Sequence, residues 1–547
     1  MRRDGLTLRQ PAGLVVNSRS EGSVLSLRDR RPWVNPVTGA GNATLAALYQ
    51  CVQPVALAVA TTDGTSGTHA MNALPVLSTA PMLPLRQALE RMRSAARADM
   101  TPSLAVRRDR LSRLARMTKR HASDIIDAIS ADFGHRSAHE TLIADLLAVD
   151  EAVKHALRHV GGWMRPQRIA TDVKYRPGYN RLLSQPLGVV GVVAPWNYPY
   201  QLSMLPALGA LAAGNRVMIK PSELAPRTAE LMVRIVREFF AENELAVFPG
   251  DAAVGKAFVE LPFDHLFFTG STAVGRLVAQ AAAKNLTPVT LELGGKSPVI
   301  VDADGEFDAI APKIAMGKLF NAGQTCIAPD YALVPRARTA EFTTAMKAAI
   351  GKLYPTLAGN PDYTSIVNER HYARLTGLLN DAKARGARVV EINPAGETLD
   401  PAGRKLAPTL VLDIDPDMAI MREEIFGPLL PVVPYDSLDD AIGYVNAHDH
   451  PLALYWLGGN RARRDRVLRD TIAGGVTVNG CLTHFAQEAQ PFGGVGASGT
   501  GSYHGVYGFR NFSKEKAVYY QPRLGIVPLL TPPYGKLLDG LLRWFGH

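Results

Sequence analysis

Two segments of the sequence combine residue types that can perform covalent chemistry. Cys326 stands in the polar, glycine-containing run Asn321-Ala322-Gly323-Gln324-Thr325-Cys326-Ile327-Ala328-Pro329, and a cysteine in such a turn is a candidate nucleophile. Glu292 ends an apolar run and precedes Leu293-Gly294-Gly295, where a partly desolvated carboxylate can act as a general base. A lone cysteine is more often an inert core residue, and a lone glutamate a solvated one. The two motifs therefore indicate chemistry only in combination with others.

Two further segments are typical of nucleotide binding. The run Phe268-Thr269-Gly270-Ser271-Thr272-Ala273-Val274-Gly275 follows a strand candidate and opens a helix, whose N-terminus offers unpaired N–H groups to a pyrophosphate. Lys220-Pro221-Ser222-Glu223 follows another strand candidate, and its cation and carboxylate can both reach ribose hydroxyls. The GxGxxG match at Gly494–Gly499 lacks a preceding strand, and too little chain follows it to complete a nucleotide-binding half. We interpret it as a glycine-rich loop packed against a cleft.

The elements that must position these residues alternate between short β-branched runs and helical runs. The pattern predicts strands over Gly188–Val193, Arg216–Ile219, Leu245–Phe248, His265–Phe268 and Pro288–Leu291, and helices over Ser203–Ala213, Arg227–Phe240, Ala253–Glu260 and Thr272–Ala283. Strands separated by helices form right-handed βαβ units and a mostly parallel, doubly wound sheet. Such a sheet binds ligands at the carboxyl ends of its strands, where the motifs above are placed.

Composition and charge exclude several functional classes. A hydrophobic fraction of 47% and a charged fraction of 20% over 547 residues are typical of a soluble globular protein. The net charge is +10, but the basic residues are scattered, which argues against nucleic acid as a partner. No metal-cluster spacing is present, and no apolar run reaches the ~18 residues that cross a bilayer. The three cysteines cannot form a disulfide framework, so we predict a reducing, cytoplasmic location.

Seven motifs occur in the order and spacing of the aldehyde dehydrogenase superfamily, which the sequence resembles from about Leu85 to Gln521. They are Pro195-Trp196-Asn197-Tyr198-Pro199, Lys220-Pro221-Ser222-Glu223, Phe268-Thr269-Gly270-Ser271-Thr272, Leu291-Glu292-Leu293-Gly294-Gly295-Lys296-Ser297-Pro298, Gly323-Gln324-Thr325-Cys326, Glu423-Glu424-Ile425-Phe426-Gly427-Pro428 and Pro491-Phe492-Gly493-Gly494. The run Cys326-Ile327-Ala328-Pro329-Asp330-Tyr331 is similar to the class 3 branch. Asp132-Phe133-Gly134-His135-Arg136-Ser137 resembles the coniferyl-aldehyde dehydrogenases within that branch.

The resemblance implies a fold and a set of catalytic roles. The fold would be α/β, with a doubly wound, mostly parallel NAD-binding sheet, an α/β catalytic domain and a small β bridging element. Cys326 would attack the aldehyde carbon to form a thiohemiacetal, and hydride would leave to the nicotinamide. Glu292 would then activate the water that hydrolyses the thioester. The Asn197 amide and the Cys326 backbone N–H would form the oxyanion hole.

The resemblance also implies the residues that bind the cofactor, and no metal. Lys220 and Glu223 are expected to bind the adenosine ribose. Gly270 and Ser271 would bind the pyrophosphate region. Glu424 and Phe426 would bind the nicotinamide ribose and ring. Trp196 and Gly275 complete the expected cofactor set. A carboxylate that accepts hydrogen bonds from ribose hydroxyls repels a 2′-phosphate, so Glu223 predicts NAD as the cofactor. Class 3 enzymes often tolerate NADP as well.

With the resemblance, the chain is divided into seven segments. They are an extension (residues 1–83), a helical part of the NAD-binding domain (84–164), a bridging and oligomerisation hairpin (165–186), the NAD-binding domain (187–294), a catalytic domain (295–485), a cleft loop with a return oligomerisation strand (486–521) and an amphipathic tail (522–547). Within the hairpin, the pattern places strands on either side of Pro177-Gly178, from Lys174 and from Arg181. Because an exposed edge strand seeks a partner, we expect a homodimer.

The substrate is less narrowly defined than the reaction. Tyr198 and Phe485 are candidates for lining an apolar tunnel, although either could simply belong to the core. The resemblance favours an aromatic aldehyde such as coniferyl aldehyde, whereas a medium- or long-chain fatty aldehyde would use the same catalytic set. A CoA-acylating semialdehyde dehydrogenase needs no general base, and a non-catalytic relative could lose its catalytic residues. We therefore expect a hydrolytic, NAD(P)-dependent enzyme.

Both ends of the chain leave alternatives open. The Arg-rich, acid-poor start loosely resembles an organellar transit peptide, but we favour a disordered arm or an upstream start codon, with Met71 or Met82 as the functional beginning. At the other end, apolar residues share one helical face: Tyr534, Leu537, Leu538, Leu541, Leu542 and Phe545. This face could be a membrane-surface foot. We favour docking on the body or on a partner subunit, because the helix is short and carries few cations.

Overall fold

The computed structural model describes residues 82–544. The extension predicted for residues 1–83 lies outside this range except for Met82 and Leu83, and Phe545 of the tail also lies outside it. Helices come first, as the periodicity of this region predicts. They are α1 (Met82–Ala98), α2 (Leu104–Arg120), α3 (Ala122–Phe133), α4 (Ala138–Thr141) and α5 (Ala148–Trp163), with a π-helical stretch, Leu142–Leu147, joining the last two.

A β-hairpin follows these helices, formed by β1 (Gln167–Ile169) and β2 (Tyr179–Pro186). The hairpin predicted around Pro177-Gly178 is therefore wrong in its first strand. Residues Val173–Tyr175 form a 3-10 turn, because the Asp172 carboxylate accepts a hydrogen bond of 3.1 Å from the Lys174 backbone N–H. Such a local contact favours a turn over an extended strand.

The next region forms the parallel sheet that the sequence predicts. Its elements are β3 (Val189–Val193), α6 (Gln201–Ala213), β4 (Arg216–Lys220), α7 (Pro226–Phe239), β5 (Leu245–Val247), α8 (Ala252–Val259), β6 (His265–Thr269), α9 (Thr272–Ala283) and β7 (Val289–Glu292). The predicted bounds are confirmed to within two residues. The strands lie in the order β7-β6-β3-β4-β5 and are almost entirely buried, which explains their continuous apolar runs.

A second sheet follows the Gly294-Gly295 crossing. Its region contains β8 (Pro298–Val301), α10 (Phe307–Leu319), β9 (Tyr331–Pro335), α11 (Thr339–Leu353), α12 (Glu369–Ala384), β10 (Arg388–Glu391), β11 (Thr409–Leu412), α13 (Ala419–Arg422), β12 (Leu429–Tyr435), α14 (Leu438–Asn446), β13 (Ala453–Leu457), α15 (Arg461–Asp470) and β14 (Gly475–Val478). The strand order is β10-β11-β12-β9-β8-β13-β14. All neighbours are parallel except β10 and β11. The helix before Cys326, α10, accommodates Pro312 in its interior.

The C-terminal part returns to the first parallel sheet and to the β1–β2 hairpin. It contains β15 (Gly499–Thr500), α16 (Gly505–Asn511), β16 (Ser513–Tyr520) and α17 (Lys536–Trp544). The Gly494–Gly499 loop opens no helix, as predicted, and β15 pairs antiparallel with β7, with Gly499 opposite Glu292. Strand β16 pairs antiparallel with β2. The glycine-rich loop thus runs beside the end of the strand that carries Glu292.

The amphipathic tail forms the helix that its spacing predicts. Tyr534 is 63% exposed and Leu537 is 73% exposed, and α17 has no buried residue among those described. Docking of this face on the body of the same subunit is therefore not seen within residues 82–544. No helix of that range is long and apolar enough to cross a membrane.

Candidate active site

The carboxyl ends of the first parallel sheet face a cavity of about 770 Å³. Loops of the second sheet supply its other wall. The predicted site residues that line the cavity are Trp196, Asn197, Gly270, Ser271, Glu292, Cys326, Glu424 and Phe426. Those that do not are Tyr198, Lys220, Glu223, Gly275 and Phe485. Residues 82–544 contain no group of His, Cys, Asp and Glu side chains that could hold a metal ion.

The turn before Cys326 has an unusual backbone. Asn321, Ala322 and Gly323 have φ values of 54°, 51° and 76°, so three consecutive residues are left-handed, a conformation that costs energy for alanine. Gly323 is required here because a Cβ would lie 2.3 Å from the Gly427 carbonyl oxygen. The Glu140 carboxylate accepts a 2.9 Å hydrogen bond from the Asn321 backbone N–H. These contacts fix the direction in which the chain enters the Cys326 turn.

Asn197 joins the first sheet to that turn. Its side-chain Nδ2 donates to the Gln324 carbonyl at 3.1 Å. Its own carbonyl accepts hydrogen bonds of 3.2 Å from Arg136 Nη1 and from Asn321 Nδ2. Asn197 is 3% exposed, so the amide is held beside the cysteine turn in a nearly dry environment, where a donor stabilises developing negative charge most strongly.

The two described cysteines have different surroundings, and neither is in a disulfide. Cys326 is half-buried and lines the cavity. Burial, followed by the nearby Glu424 and Glu292 carboxylates, raises the pKa of its thiol, so the resting side chain is a protonated thiol. Cys481 is fully buried and packs on Gly317, where a Cβ would lie 2.4 Å from the Cys481 Cβ. Its environment is that of a core residue.

Glu292 is 3% exposed at the end of β7. Neither carboxylate oxygen accepts a hydrogen bond from the described residues, and burial raises the pKa of the carboxyl well above its usual value. Gly493 of the C-terminal loop passes over it, since a Cβ there would lie 3.1 Å from Glu292 Oε1. A desolvated carboxylate with a raised pKa is the environment that general bases require near neutral pH.

The N-terminus of α9 faces the same cavity. Ser271 caps the helix, because its hydroxyl oxygen accepts a 3.4 Å hydrogen bond from the Val274 backbone N–H. The first N–H groups of a helix lack internal partners and attract a phosphate. Gly275 lies one turn further and serves packing, since a Cβ would lie 2.6 Å from Leu293 Cδ2.

Lys220 and Glu223 form a pair at the end of β4, outside the cavity lining. Lys220 is 2% exposed, and its Nζ donates to the Pro221 carbonyl at 2.7 Å. The Glu223 carboxylate lies 3.9 Å from Nζ, and its side chain is 49% exposed. Burial lowers the pKa of Lys220. The pair therefore combines a buried ammonium group with a carboxylate that is about half exposed to solvent.

Glu424 and Phe426 lie on the loop between α13 and β12. The Glu424 carboxylate packs on Gly294, where a Cβ would lie 2.2 Å from Oε2, and burial together with Asp330 raises its pKa to about 8. The Phe426 ring stands edge-on to Trp196, with ring centroids 5.5 Å apart. This places an aromatic corner and a carboxylate on one wall of the cavity.

Sequence reasoning missed the residues that hold this loop. Asp330 Oδ1 accepts a 2.9 Å hydrogen bond from the Ile425 backbone N–H, and Arg374 Nη1 donates to the Glu424 carbonyl at 3.2 Å. Arg374 lies on α12, far from any recognised motif. Asp330 lies four residues after Cys326 in a recognised motif, and this position is the sequence feature that could have identified it.

The two predicted substrate residues are placed behind the cavity lining. The Tyr198 hydroxyl lies 2.5 Å from Thr325 Oγ1, beside Cys326. The Phe485 ring stands edge-on to His504 at 4.9 Å. The sequence reasoning did not single out His504, whose ring is buried and has no hydrogen-bond partner among the described residues, or Glu488, whose pKa burial raises to about 7. No spacing rule identifies either one.

The sequence is similar to known proteins over most of its length. Residues 80–518 match the model of the aldehyde dehydrogenase family. The coniferyl aldehyde dehydrogenase of Pseudomonas sp. (strain HR199 / DSM 7063) is 46% identical over 460 residues, which cover 84% of this chain and 95% of that protein.

Solved structures give the same picture. The substrate-bound state of Staphylococcus aureus AldH is similar with a TM-score of 0.79 and 37% identity, covering 84% of this chain and 99% of that one. A mutant P. syringae indole-3-acetaldehyde dehydrogenase in complex with NAD and IAA gives a TM-score of 0.73 and 27% identity, covering 80% and 89%. Both similarities extend over at least four fifths of this chain.

Proposed function

The chain belongs to the aldehyde dehydrogenase family, and on that premise we propose that it oxidises an aldehyde to the carboxylic acid through a covalent intermediate on Cys326. The observation that carries this proposal is that Cys326, Glu292 and Asn197 line one cavity. A thiol, a desolvated base and an amide donor are the groups that such a reaction needs from the protein.

In the proposed reaction, the Cys326 thiol releases its proton to water, and the sulfur forms a bond to the aldehyde carbon as the C=O π electrons move onto the oxygen. The Asn197 amide and the Cys326 backbone N–H donate to the oxygen, on which negative charge develops. NAD held between Ser271 on one wall and Glu424 on the other would supply the acceptor for the hydride of the thiohemiacetal carbon. Glu292 then takes a proton from the water that attacks the thioester, and the carbon–sulfur bond breaks to release the acid and the thiol.

The cavity fits a dinucleotide cofactor on grounds internal to this chain. The α9 N-terminus presents N–H groups to an anion, and Ser271 and Gly270 line the cavity beside it. Glu424 lies on the opposite wall and can bind ribose hydroxyls. Glu223 disfavours a 2′-phosphate by charge repulsion. We therefore propose NAD as the preferred cofactor, with NADP tolerated.

An aromatic aldehyde, similar to coniferyl aldehyde, is the proposed substrate. Its support is the 46% identity to a coniferyl aldehyde dehydrogenase and the aromatic ring of Tyr198, whose hydroxyl contacts Thr325 beside Cys326. The test follows NADH formation by absorbance with NAD and coniferyl aldehyde, benzaldehyde or hexanal, with and without CoA. We expect CoA-independent turnover that is fastest on aromatic aldehydes. Fastest turnover on hexanal would reassign the substrate to aliphatic aldehydes, and turnover only with CoA would reassign the reaction to the acylating class.

We also propose a cytoplasmic homodimer. Strand β16 lies at an edge of the three-stranded sheet β1-β2-β16, and its outer backbone groups can pair with a second copy. Light scattering at micromolar concentration tests this assembly, and a monomeric mass would contradict it.

A further inference from the structure

A fully buried ion pair lies behind the cysteine turn. Arg136 Nη1 and Asp145 Oδ2 are 3.1 Å apart, and both side chains are 0% exposed. Removing two charges from water costs several kcal/mol per ion, so a hydrophobic pair of similar volume is often at least as stable. Stability alone therefore does not explain this pair, and its further contacts become informative.

The pair holds both ends of the turn that carries Asn197. Arg136 Nη1 donates to the Asn197 carbonyl at 3.2 Å. Asp145 Oδ1 accepts a 3.0 Å hydrogen bond from the Gln201 backbone N–H, at the start of α6. A carboxylate at this place also satisfies the otherwise unpaired N–H groups of a helix N-terminus. The ion pair thus ties residues 197 and 201 to each other through side chains of the N-terminal helical region.

The same guanidinium is also connected to the nucleophile through Tyr198 and Thr325. It packs against Phe133 and Tyr198, with its central carbon 5.3 Å and 4.8 Å from the two ring centroids. The Tyr198 hydroxyl in turn contacts Thr325 Oγ1 at 2.5 Å, one residue before Cys326. Arg136 therefore contacts both neighbours, Asn197 and Tyr198, that lie against the cysteine turn.

We propose that Arg136, supported by Asp145, is a positioning residue that holds the Asn197 amide in register with Cys326. The inference rests on the proposed oxyanion role of Asn197. Arginine suits this position because Nη1 reaches both the Asp145 carboxylate and the Asn197 carbonyl, while the planar guanidinium packs on aromatic rings, which a lysine ammonium does not reproduce. Misplacing a catalytic donor by about 1 Å costs on the order of 100-fold in rate.

The decisive variant replaces the charges without leaving one unpaired: Arg136→Met combined with Asp145→Leu. Because the apolar pair fills similar space, we expect its Tm to stay within about 4 °C of the parent. The kcat for aldehyde oxidation should fall about 10- to 100-fold, while the KM for NAD stays within about twofold. A merely structural pair would lower Tm and leave the kcat of the folded enzyme unchanged.

Arg107→Met is the matched control. Arg107 is a buried arginine that donates to the carbonyls of Ala212 and Ala213, at the other end of α6. Its loss should lower Tm but keep kcat within about twofold, since that end of the helix carries no site residue. Equal losses of kcat in both variants would overturn the positioning role.

Two further variants keep the outcomes separate. Arg136→Lys retains a cation beside Asp145 but not the planar group that packs on the Phe133 and Tyr198 rings, so it should fold like the parent and lose about tenfold in kcat. If the double variant does not fold, this variant decides, and an unchanged kcat overturns the inference. Asn197→Ala tests the premise that the Asn197 amide stabilises the oxyanion. If the Asn197→Ala enzyme is fully active, that premise is wrong. An inactive Asn197→Ala enzyme beside a fully active double variant would overturn only the role of Arg136.

Discussion

The cysteine turn and the Lys220–Glu223 pair are built in opposite ways: the turn leads directly to Cys326 in the cavity lining, whereas the pair lies at the end of β4, outside that lining. Residues 321 to 325 are all buried, and the side chains of Asn321, Gln324 and Thr325 are hydrogen-bonded. Glu223, by contrast, is half exposed, and its carboxylate lies 3.9 Å from a lysine. In the turn three side chains are fixed by hydrogen bonds, whereas at the pair Lys220 is held by the Pro221 carbonyl and the Glu223 carboxylate makes one long contact, with Lys220 Nζ.

This contrast separates reaction from recognition. Charge that develops during a reaction is stabilised best by donors that are fixed beforehand in a dry site. The hydroxyls of a bound ribose can be bound by groups that remain partly exposed to solvent, because hydrogen bonds in contact with water still contribute to binding. We therefore expect substitutions at the turn to change rates by orders of magnitude and substitutions at the pair to change cofactor preference by small factors.

The largest effect is expected for Cys326→Ala. Without the sulfur no covalent intermediate forms, so aldehyde oxidation should fall on the order of 10⁴-fold or more. NAD binding, followed by protein fluorescence, should be retained. Cys481→Ala is the matched control, because its thiol is a buried core group, and that variant should keep its kcat. Appreciable oxidation by Cys326→Ala would contradict the assignment of the nucleophile.

Glu292→Gln should give the next largest effect. The amide cannot accept the proton of the attacking water, so steady-state turnover should fall about 10²- to 10³-fold. The first turnover does not need this base, and rapid mixing should show a burst of NADH equal to the enzyme concentration. A variant with slow turnover and no burst would place Glu292 in the first half of the reaction instead.

Local sequence patterns predict many of the strands and helices that carry these two regions. The strand ends carrying Lys220, Thr269 and Glu292 were predicted because apolar strands and amphipathic helices alternate there, and both periods are set by nearest neighbours. The GxGxxG match at Gly494–Gly499 is likewise interpreted as a loop on local evidence, because no strand precedes it. Cys326 and Glu292 stand out as candidates on the local pattern, whereas the expected roles of Asn197, Glu424 and Phe426 come from the family resemblance.

The supports of the site could not be predicted, because they come from distant segments. Arg136 lies on the loop between α3 and α4, and Asp145 and Arg374 lie on helical segments, so no spacing in the sequence links these residues to those that they hold. The misplaced hairpin has another cause, since one side-chain contact at Asp172 outweighs an extended pattern. Local periodicity predicts elements, while the contacts that fix a catalytic amide depend on the assembled fold.

The state of the Cys326 thiol gives a third prediction. Its raised pKa means that the reactive thiolate grows about tenfold for each pH unit. Alkylation of the cofactor-free enzyme by iodoacetamide, followed by loss of activity, should therefore rise about 100-fold from pH 7 to pH 9 without levelling. Glutathione is the control, because an ordinary thiol levels off near its pKa of about 8.5. A plateau below pH 8.5 would mean that the turn stabilises the thiolate.

The smallest effect is expected for Glu223→Gln, because its carboxylate is half exposed and its repulsion is screened by water and salt. Removing the charge should raise kcat/KM for NADP about fivefold, the equivalent of about 1 kcal/mol, with a small loss for NAD. Glu230→Gln is the matched control, since Glu230 is 70% exposed on α7 and pairs with Arg227. If both variants change the NADP preference equally, Glu223 does not face the adenosine ribose. If raising the ionic strength shrinks the difference between Glu223→Gln and the parent, the discrimination is electrostatic, as a wet carboxylate requires.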